Sequence, residues 1–236
     1  MRVEAKPLLC YVTDRQALSV PAPDAAEGVP LVSELLAVIR RGVAAGVDWI
    51  QIREKDLATR PLVELARGAV AAAQGSATRI LVNDRLDVAL AVAAAGVHLG
   101  EQSLPVAAVQ RWRKGGPAPA GFLLGASCHS LEAAVEAERA GADYIFFGPV
   151  FATPSKAALG PPQGLDRLAQ VCQSVRIPVL AIGGATLETA AACLAAGASG
   201  LAAIRLFQQS PDLPAVVTRL RLSTSPGQHH RSIRPG

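Results

Sequence analysis

This sequence predicts a closed (β/α)8 TIM barrel folded as a single domain, and two observations carry that expectation. A short phrase recurs four times, as Ala45-Gly46-Val47-Asp48, Ala95-Gly96-Val97-His98, Ala140-Gly141-Ala142-Asp143 and Ala196-Gly197-Ala198-Ser199. Each copy follows an Ala-rich amphipathic run and precedes a β-like one, and its glycine suits the left-handed position just past a helix end. The second observation is the alternation that results: helix, glycine cap and strand in succession form the αβ junction of a βαβ architecture.

Taken in order, the apolar runs predict strands at 8–13, 48–53, 79–83, 96–99, 122–127, 143–149, 178–183 and 199–204. Helical periodicity falls between them, at 31–44, 59–74, 86–94, 106–112, 131–140, 165–174, 186–195 and 212–221. The strands are apolar almost throughout, as strands covered on both faces should be. An open doubly wound sheet is the alternative, but it would usually carry a Gly-rich turn after its first strand, where Thr13-Asp14-Arg15 stands here.

Composition agrees. The 236 residues are 50% hydrophobic and 18% charged, enough to bury one sizeable core. Aromatics are only 4%, which argues against stacking platforms for nucleic acid. The net charge of +4 is spread along the chain rather than gathered in a stripe. Cys10, Cys128, Cys172 and Cys193 show no C-x-x-C spacing and read as buried reduced thiols. The charged opening MRVEAKP is unlike a signal peptide, and no apolar stretch is long enough for a bilayer. The expectation is a soluble cytoplasmic enzyme without membrane or nucleic-acid partners. The barrel should span 1–222, and 223–236, which holds His229, His230, Arg231 and Arg234, should be a disordered basic tail. A homo-oligomer is compatible with the sequence.

Function in such a barrel sits just past the C-terminal ends of the strands. Alternation aims Gln51, Arg53 and Lys55 at one spot, and two neighbouring cations there would welcome an anion. The competing expectation is a pair of salt bridges to Glu54 and Asp56. Asn83-Asp84 suits Mg²⁺, which takes one or two carboxylates plus phosphate oxygens, or else a helix N-cap. Thr153, Ser155 and Lys156 make a hydroxyl-and-ammonium loop. Gly183-Gly184 lets backbone N–H groups approach a ligand, and Arg205 ends strand eight. His129 is the candidate acid or base, whereas His98 within its strand and Cys128 are read as packing.

Together these motifs resemble the thiamine phosphate synthase and TenI-like thiazole tautomerase superfamily, from about Leu8 to Phe207. The likeness rests on Tyr11-Val12-Thr13-Asp14, Gln51-Ile52-Arg53-Glu54-Lys55, Asn83-Asp84-Arg85, Gly96-Val97-His98-Leu99-Gly100, Ser127-Cys128-His129-Ser130, Gly148-Pro149-Val150-Phe151 and Ala181-Ile182-Gly183-Gly184. It implies coupling of 4-amino-2-methyl-5-(diphosphooxymethyl)pyrimidine with a thiazole phosphate, giving thiamine phosphate and pyrophosphate. It assigns Gln51, Arg53, Lys55 and Asn83 to the pyrimidine diphosphate and Asp84 to Mg²⁺. Ser127 and Lys156 would meet the leaving pyrophosphate, and Thr153, Ser155 and Gly184 the thiazole phosphate. The chain departs from the synthase pattern where Ser103 replaces a second Mg²⁺ aspartate and Arg205 a small hydroxyl residue. The loop 151–164 also has features of the tautomerase branch and is the expected lid. Metal-free tautomerisation through His129 is the alternative activity, and a non-catalytic barrel that binds a thiazole or thiamine phosphate is a third reading.

Overall fold

The computed structural model describes residues 6–18, 29–116, 118–153 and 161–223. Strands β1 (Leu8–Val12), β2 (Trp49–Ile52), β3 (Arg79–Asn83), β4 (Gly96–Leu99), β5 (Leu123–Cys128), β6 (Tyr144–Phe147), β7 (Val179–Ile182) and β8 (Gly200–Ala203) pair in parallel in sequence order. Strand β8 returns to β1, with Leu9 beside Leu201, and closes the barrel. Around it run α1 (Val29–Ala44), α2 (Thr59–Ala73), α3 (Leu86–Ala91), α4 (Val106–Gly115), α5 (Leu131–Ala140), α6 (Gly164–Ser174), α7 (Leu187–Ala195), α8 (Arg205–Gln208) and α9 (Leu213–Leu222). The TIM barrel read from the sequence is the fold observed. Helix α8 was not expected: its 4 residues are too few to show a helical period. Arg205, expected as the last residue of strand eight, opens this helix instead.

The repeated phrase has a physical basis. Gly46, Gly141 and Gly197 follow helices with φ of +79°, +98° and +104°, the left-handed region glycine enters without penalty. The copy at Gly96 differs, because that residue lies inside β4, where a Cβ would sit 2.3 Å from the Leu123 carbonyl oxygen. There the glycine allows two strands to approach, and the positive φ falls earlier, at Ala93.

The aspartate that ends two of the copies clasps the N-terminal rim of the barrel. Asp48 Oδ2 accepts the Leu9 N–H at 2.7 Å, and Asp143 Oδ2 accepts that of Leu124 at 2.7 Å, each from the preceding strand. Arg221 pairs with Asp48 at 2.8 Å, and Arg113 pairs with Asp143 while donating to the Phe122 and Gly141 carbonyls. Asp143→Ala would strip partners from a half-buried guanidinium and from a strand N–H. It should lower unfolding free energy by about 2–4 kcal/mol. A urea midpoint equal to that of the parent chain would refute this.

Two apolar regions hold the layers together. One lies between strands and helices; the other fills the barrel with Cys10, Val12, Trp49, Leu81, Leu123, Tyr144, Phe146, Leu180 and Ala202. Here the Tyr144 ring occupies the space beside Gly125, where a Cβ would lie 2.1 Å from Tyr144 Cζ. Cys10, Cys128, Cys172 and Cys193 are free and buried, and burial pushes the Cys128 thiol up to about 12, as packing residues require. No helix among the described residues is long and apolar enough to cross a membrane. The expected tail, apart from Ser223, lies outside the described residues.

Candidate active site

A cavity of about 920 Å³ opens at the C-terminal ends of the strands. The sequence-predicted Gln51, Arg53, Lys55, Asn83 and Asp84 line one side of it. Ser127, His129, Thr153, Gly183, Gly184 and Arg205 line it as well. Ser155 and Lys156, with the rest of 154–160 in the expected lid, lie outside the described residues. These eleven positions converge because each lies at or just past the C-terminal end of a strand of the same closed sheet.

Alternation along the end of β2 separates charges by sign. Gln51 is buried in the cavity wall, and its Nε2 donates to Asn83 Oδ1 at 2.9 Å. Arg53 and Lys55 face the cavity, and neither side chain makes an ion pair or hydrogen bond among the described residues. Glu54 and Asp56 turn away, to Arg15 on the loop after β1. Arg15 Nη1 lies 3.2 Å from Glu54 Oε2 and 2.5 Å from Asp56 Oδ1. The salt bridges weighed between these acids and Arg53 or Lys55 are therefore not formed. Thr13 Oγ1 donates to Glu54 at 2.6 Å and accepts the Arg53 N–H at 2.9 Å, fixing the strand end that carries the cations. Burial raises the pKa of Glu54, opposed by Thr13 and Arg15, whereas Arg15 holds Asp56 down at about 2.

Asp84 has φ of +69°, uncommon for a side chain larger than glycine and frequent at functional positions. The N-cap expectation fails for both Asn83 and Asp84. Arg85 occupies the cap of α3 without a side-chain hydrogen bond, Asn83 is taken by Gln51, and the Asp84 carboxylate stands at the cavity without a hydrogen bond among the described residues. At the neighbouring strand end, Glu101 and Ser103 follow β4, and Ser103 Oγ accepts the Gly100 N–H at 2.6 Å.

His129 is held at Nδ1 by the Gly148 carbonyl, which can only accept; Nδ1 therefore carries the proton. Its Nε2 is 4.0 Å from Glu101 Oε1. Sequence reasoning missed His98, placed among packing residues. It is buried, yet it lines the cavity, and its Nε2 lies 2.9 Å from Ser127 Oγ. The signal was available: His98 shares strand parity with the inward-facing Gly96 and Gly100.

After β7, Gly183 and Gly184 have φ of +93° and +67°, and a Cβ on Gly184 would sit 2.6 Å from Phe151 Cβ. The Phe151 N–H donates to the Gly183 carbonyl at 3.0 Å, so the loops after β6 and β7 form one wall. Gly184→Ala should lower kcat/KM by about tenfold or more through the forced shift of that wall. Unchanged steady-state kinetics would contradict this. Arg205 and Leu206 of α8 complete the rim, and Gln208 ties the helix to β1 by accepting from Tyr11 Oη at 2.8 Å and donating to the Asp14 carbonyl at 2.6 Å.

Comparison with known proteins bears on this site. A family model described as thiamine monophosphate synthase matches residues 25–207. The thiamine-phosphate synthase of Methanocella arvoryzae is 43% identical over 182 residues, covering 77% of this chain and 84% of that one. That of Chloroflexus aurantiacus is 40% identical over 189 residues, covering 80% and 85%. The solved thiamine phosphate pyrophosphorylase from Pyrococcus furiosus superposes with a TM-score of 0.74 at 32% identity, over 91% of this chain and 94% of its own. The chain belongs to the thiamine monophosphate synthase family.

Proposed function

We propose that this cavity couples 4-amino-2-methyl-5-(diphosphooxymethyl)pyrimidine to a thiazole phosphate, forming thiamine phosphate and releasing pyrophosphate. The observation that carries the reading is the pair of cations Arg53 and Lys55, uncommitted among the described residues, sharing one cavity with the Asp84 carboxylate. Family membership supports it. The bond from the methylene carbon to the diphosphate oxygen breaks with its electron pair leaving on pyrophosphate. The cation left behind is stabilised by the ring amino group, and the thiazole nitrogen lone pair then forms the new C–N bond. Arg53 and Lys55 stabilise the departing charge, joined by the Ser127 hydroxyl and, through the resemblance, Lys156. The Gln51–Asn83 amide pair offers complementary hydrogen bonds to the pyrimidine. Thr153, Ser155, Gly183, Gly184 and Arg205 hold the thiazole phosphate and align its nitrogen for attack.

The donor set also fits Mg²⁺, a hard cation that prefers oxygen ligands such as carboxylates. Asp84 would hold it, with Glu101 on the same cavity, whereas the Ser103 hydroxyl is committed to the Gly100 N–H. Mg²⁺ would supply neutralisation of the pyrophosphate charge.

A specific observation favours a second reading. His129, anchored at Nδ1, keeps Nε2 as a proton acceptor, which suits aromatisation of a thiazole carboxylate phosphate. One assay separates the two. The synthase predicts Mg²⁺-dependent pyrophosphate release with both substrates present, reduced about 10²–10³-fold by Asp84→Ala. Conversion of the thiazole alone, independent of Mg²⁺ and abolished by His129→Ala, would replace that reading with the tautomerase.

A further inference from the structure

Below Ser127, a line of polar groups descends into the barrel: Ser127 Oγ, the His98 imidazole and the Tyr144 phenol. His98 Nε2 lies 2.9 Å from Ser127 Oγ, and His98 Nδ1 lies 3.2 Å from Tyr144 Oη. The imidazole is held by aromatic neighbours, with the Phe146 ring centroid 4.1 Å away and that of Tyr144 at 5.6 Å. Tyr144 is 0% exposed, beneath Trp49 at 4.6 Å.

The direction of these bonds follows from proton counting. A phenol has one proton to give, and burial keeps it on the oxygen by pushing the Tyr144 pKa well up. Among the described residues Tyr144 Oη has no hydrogen-bond partner other than His98 Nδ1. Were Nδ1 protonated, it would donate to Oη and leave the phenol O–H buried without an acceptor, an arrangement protein interiors avoid. Tyr144 therefore donates to Nδ1. A neutral His98 then carries its proton on Nε2 and donates to Ser127 Oγ. With that oxygen engaged as acceptor, the Ser127 O–H is left to point into the cavity.

We propose that Tyr144, acting through His98, sets Ser127 as a hydrogen-bond donor toward the anionic ligand. Tyr144 and His98 are positioning residues, and the inference rests on the reading that Ser127 meets pyrophosphate. An oxyanion accepts only donors. With the relay reversed, Ser127 would donate to His98 and present its lone pairs to the anion.

Nitrogen-15 NMR of the imidazoles in the full chain tests the relay directly, with the His98 signals assigned by their loss in His98→Gln. The expected result is an unprotonated Nδ1 and a protonated Nε2 on His98. A proton on Nδ1 overturns the inference, and this holds whether or not the Tyr144 and Ser127 variants fold. In Tyr144→Phe, the His98 tautomers should mix, and inorganic pyrophosphate with Mg²⁺ should bind roughly tenfold more weakly. In a Ser127→Ala background, Tyr144→Phe should cost no further affinity; an equal loss there would mean that Tyr144 acts only through packing, against the proposal. Unchanged pyrophosphate affinity in Ser127→Ala alone would instead refute the role of Ser127. Intact tautomer and affinity in Tyr144→Phe, with Ser127→Ala weakened, would refute the relay alone.

Discussion

Arg53→Ala is expected to reduce kcat/KM for thiamine phosphate formation by roughly 10²–10³-fold, and Lys55→Ala by a similar factor. Both side chains approach the cavity without a counter-ion among the described residues, and under the proposed function the substrate diphosphate is their partner. That charge grows as the C–O bond breaks, and fixed cations stabilise the transition state more than the bound substrate. Arg53→Lys should restore only part of the loss, because an ammonium cannot offer the paired N–H donors of a guanidinium. Neither alanine variant should lose stability, since no buried partner is orphaned and like charges are relieved. Steady-state kinetics beside urea titrations check both halves. Full activity in Arg53→Ala would remove the basis for the proposed function, and a large stability loss would show a structural cation.

Arg15→Met should have the largest effect on stability, about 3–5 kcal/mol at neutral pH, because it leaves the buried Glu54 carboxylate without its cation, supported by the Thr13 hydroxyl and the residue-15 N–H. The Glu54 side chain is 2% exposed, and Arg15 is the cation that compensates for its burial. The loss should shrink in acid. Without Arg15, the raised Glu54 pKa rises further. A group with a raised folded pKa costs least stability below its unfolded pKa and most once pH exceeds the folded value. Asp56 has the opposite shift: held at about 2 by Arg15, it stabilises the parent above the ordinary carboxylate range and loses this as pH falls through 2. Both trends narrow the gap between parent and variant as pH drops. Urea midpoints across that interval measure it, and a gap independent of pH would show that Arg15 acts through packing. Glu54 and Asp56, released, could also pair with Arg53 and Lys55, so pyrophosphate should bind the variant more weakly.

Much of this was legible in the sequence because barrel strands carry a strong signal. Eight apolar runs and a glycine-marked junction are enough to order the elements, and period-two alternation placed Gln51, Arg53 and Lys55 on one side. What escaped reading depends on distance rather than period. Helix α8 is too short to announce itself. The partner of Glu54 and Asp56 is 39 positions or more from them, on another strand end, and nothing local names Arg15. His98 was read as packing because a buried histidine on an apolar strand is usually that. Only the neighbouring strands show that its two ring nitrogens join Ser127 to Tyr144. For Asn83 and Asp84 the sequence left a Mg²⁺ site and a helix cap both open, and the structure removes the cap, with Arg85 in that position and a left-handed turn at Asp84.

The aspartate clasps have a consequence for how this enzyme can change. Asp48 and Arg53 stand five positions apart on one extended segment, about 16 Å end to end, beyond the range at which substitutions usually couple. The clasps are thus one source of durability that lies at the pole opposite the chemistry, whereas the Arg15–Glu54 pair sits beside it. A lineage adapting to heat could reinforce the floor, and one adapting to a new substrate could rework the ceiling, each with little interference from the other.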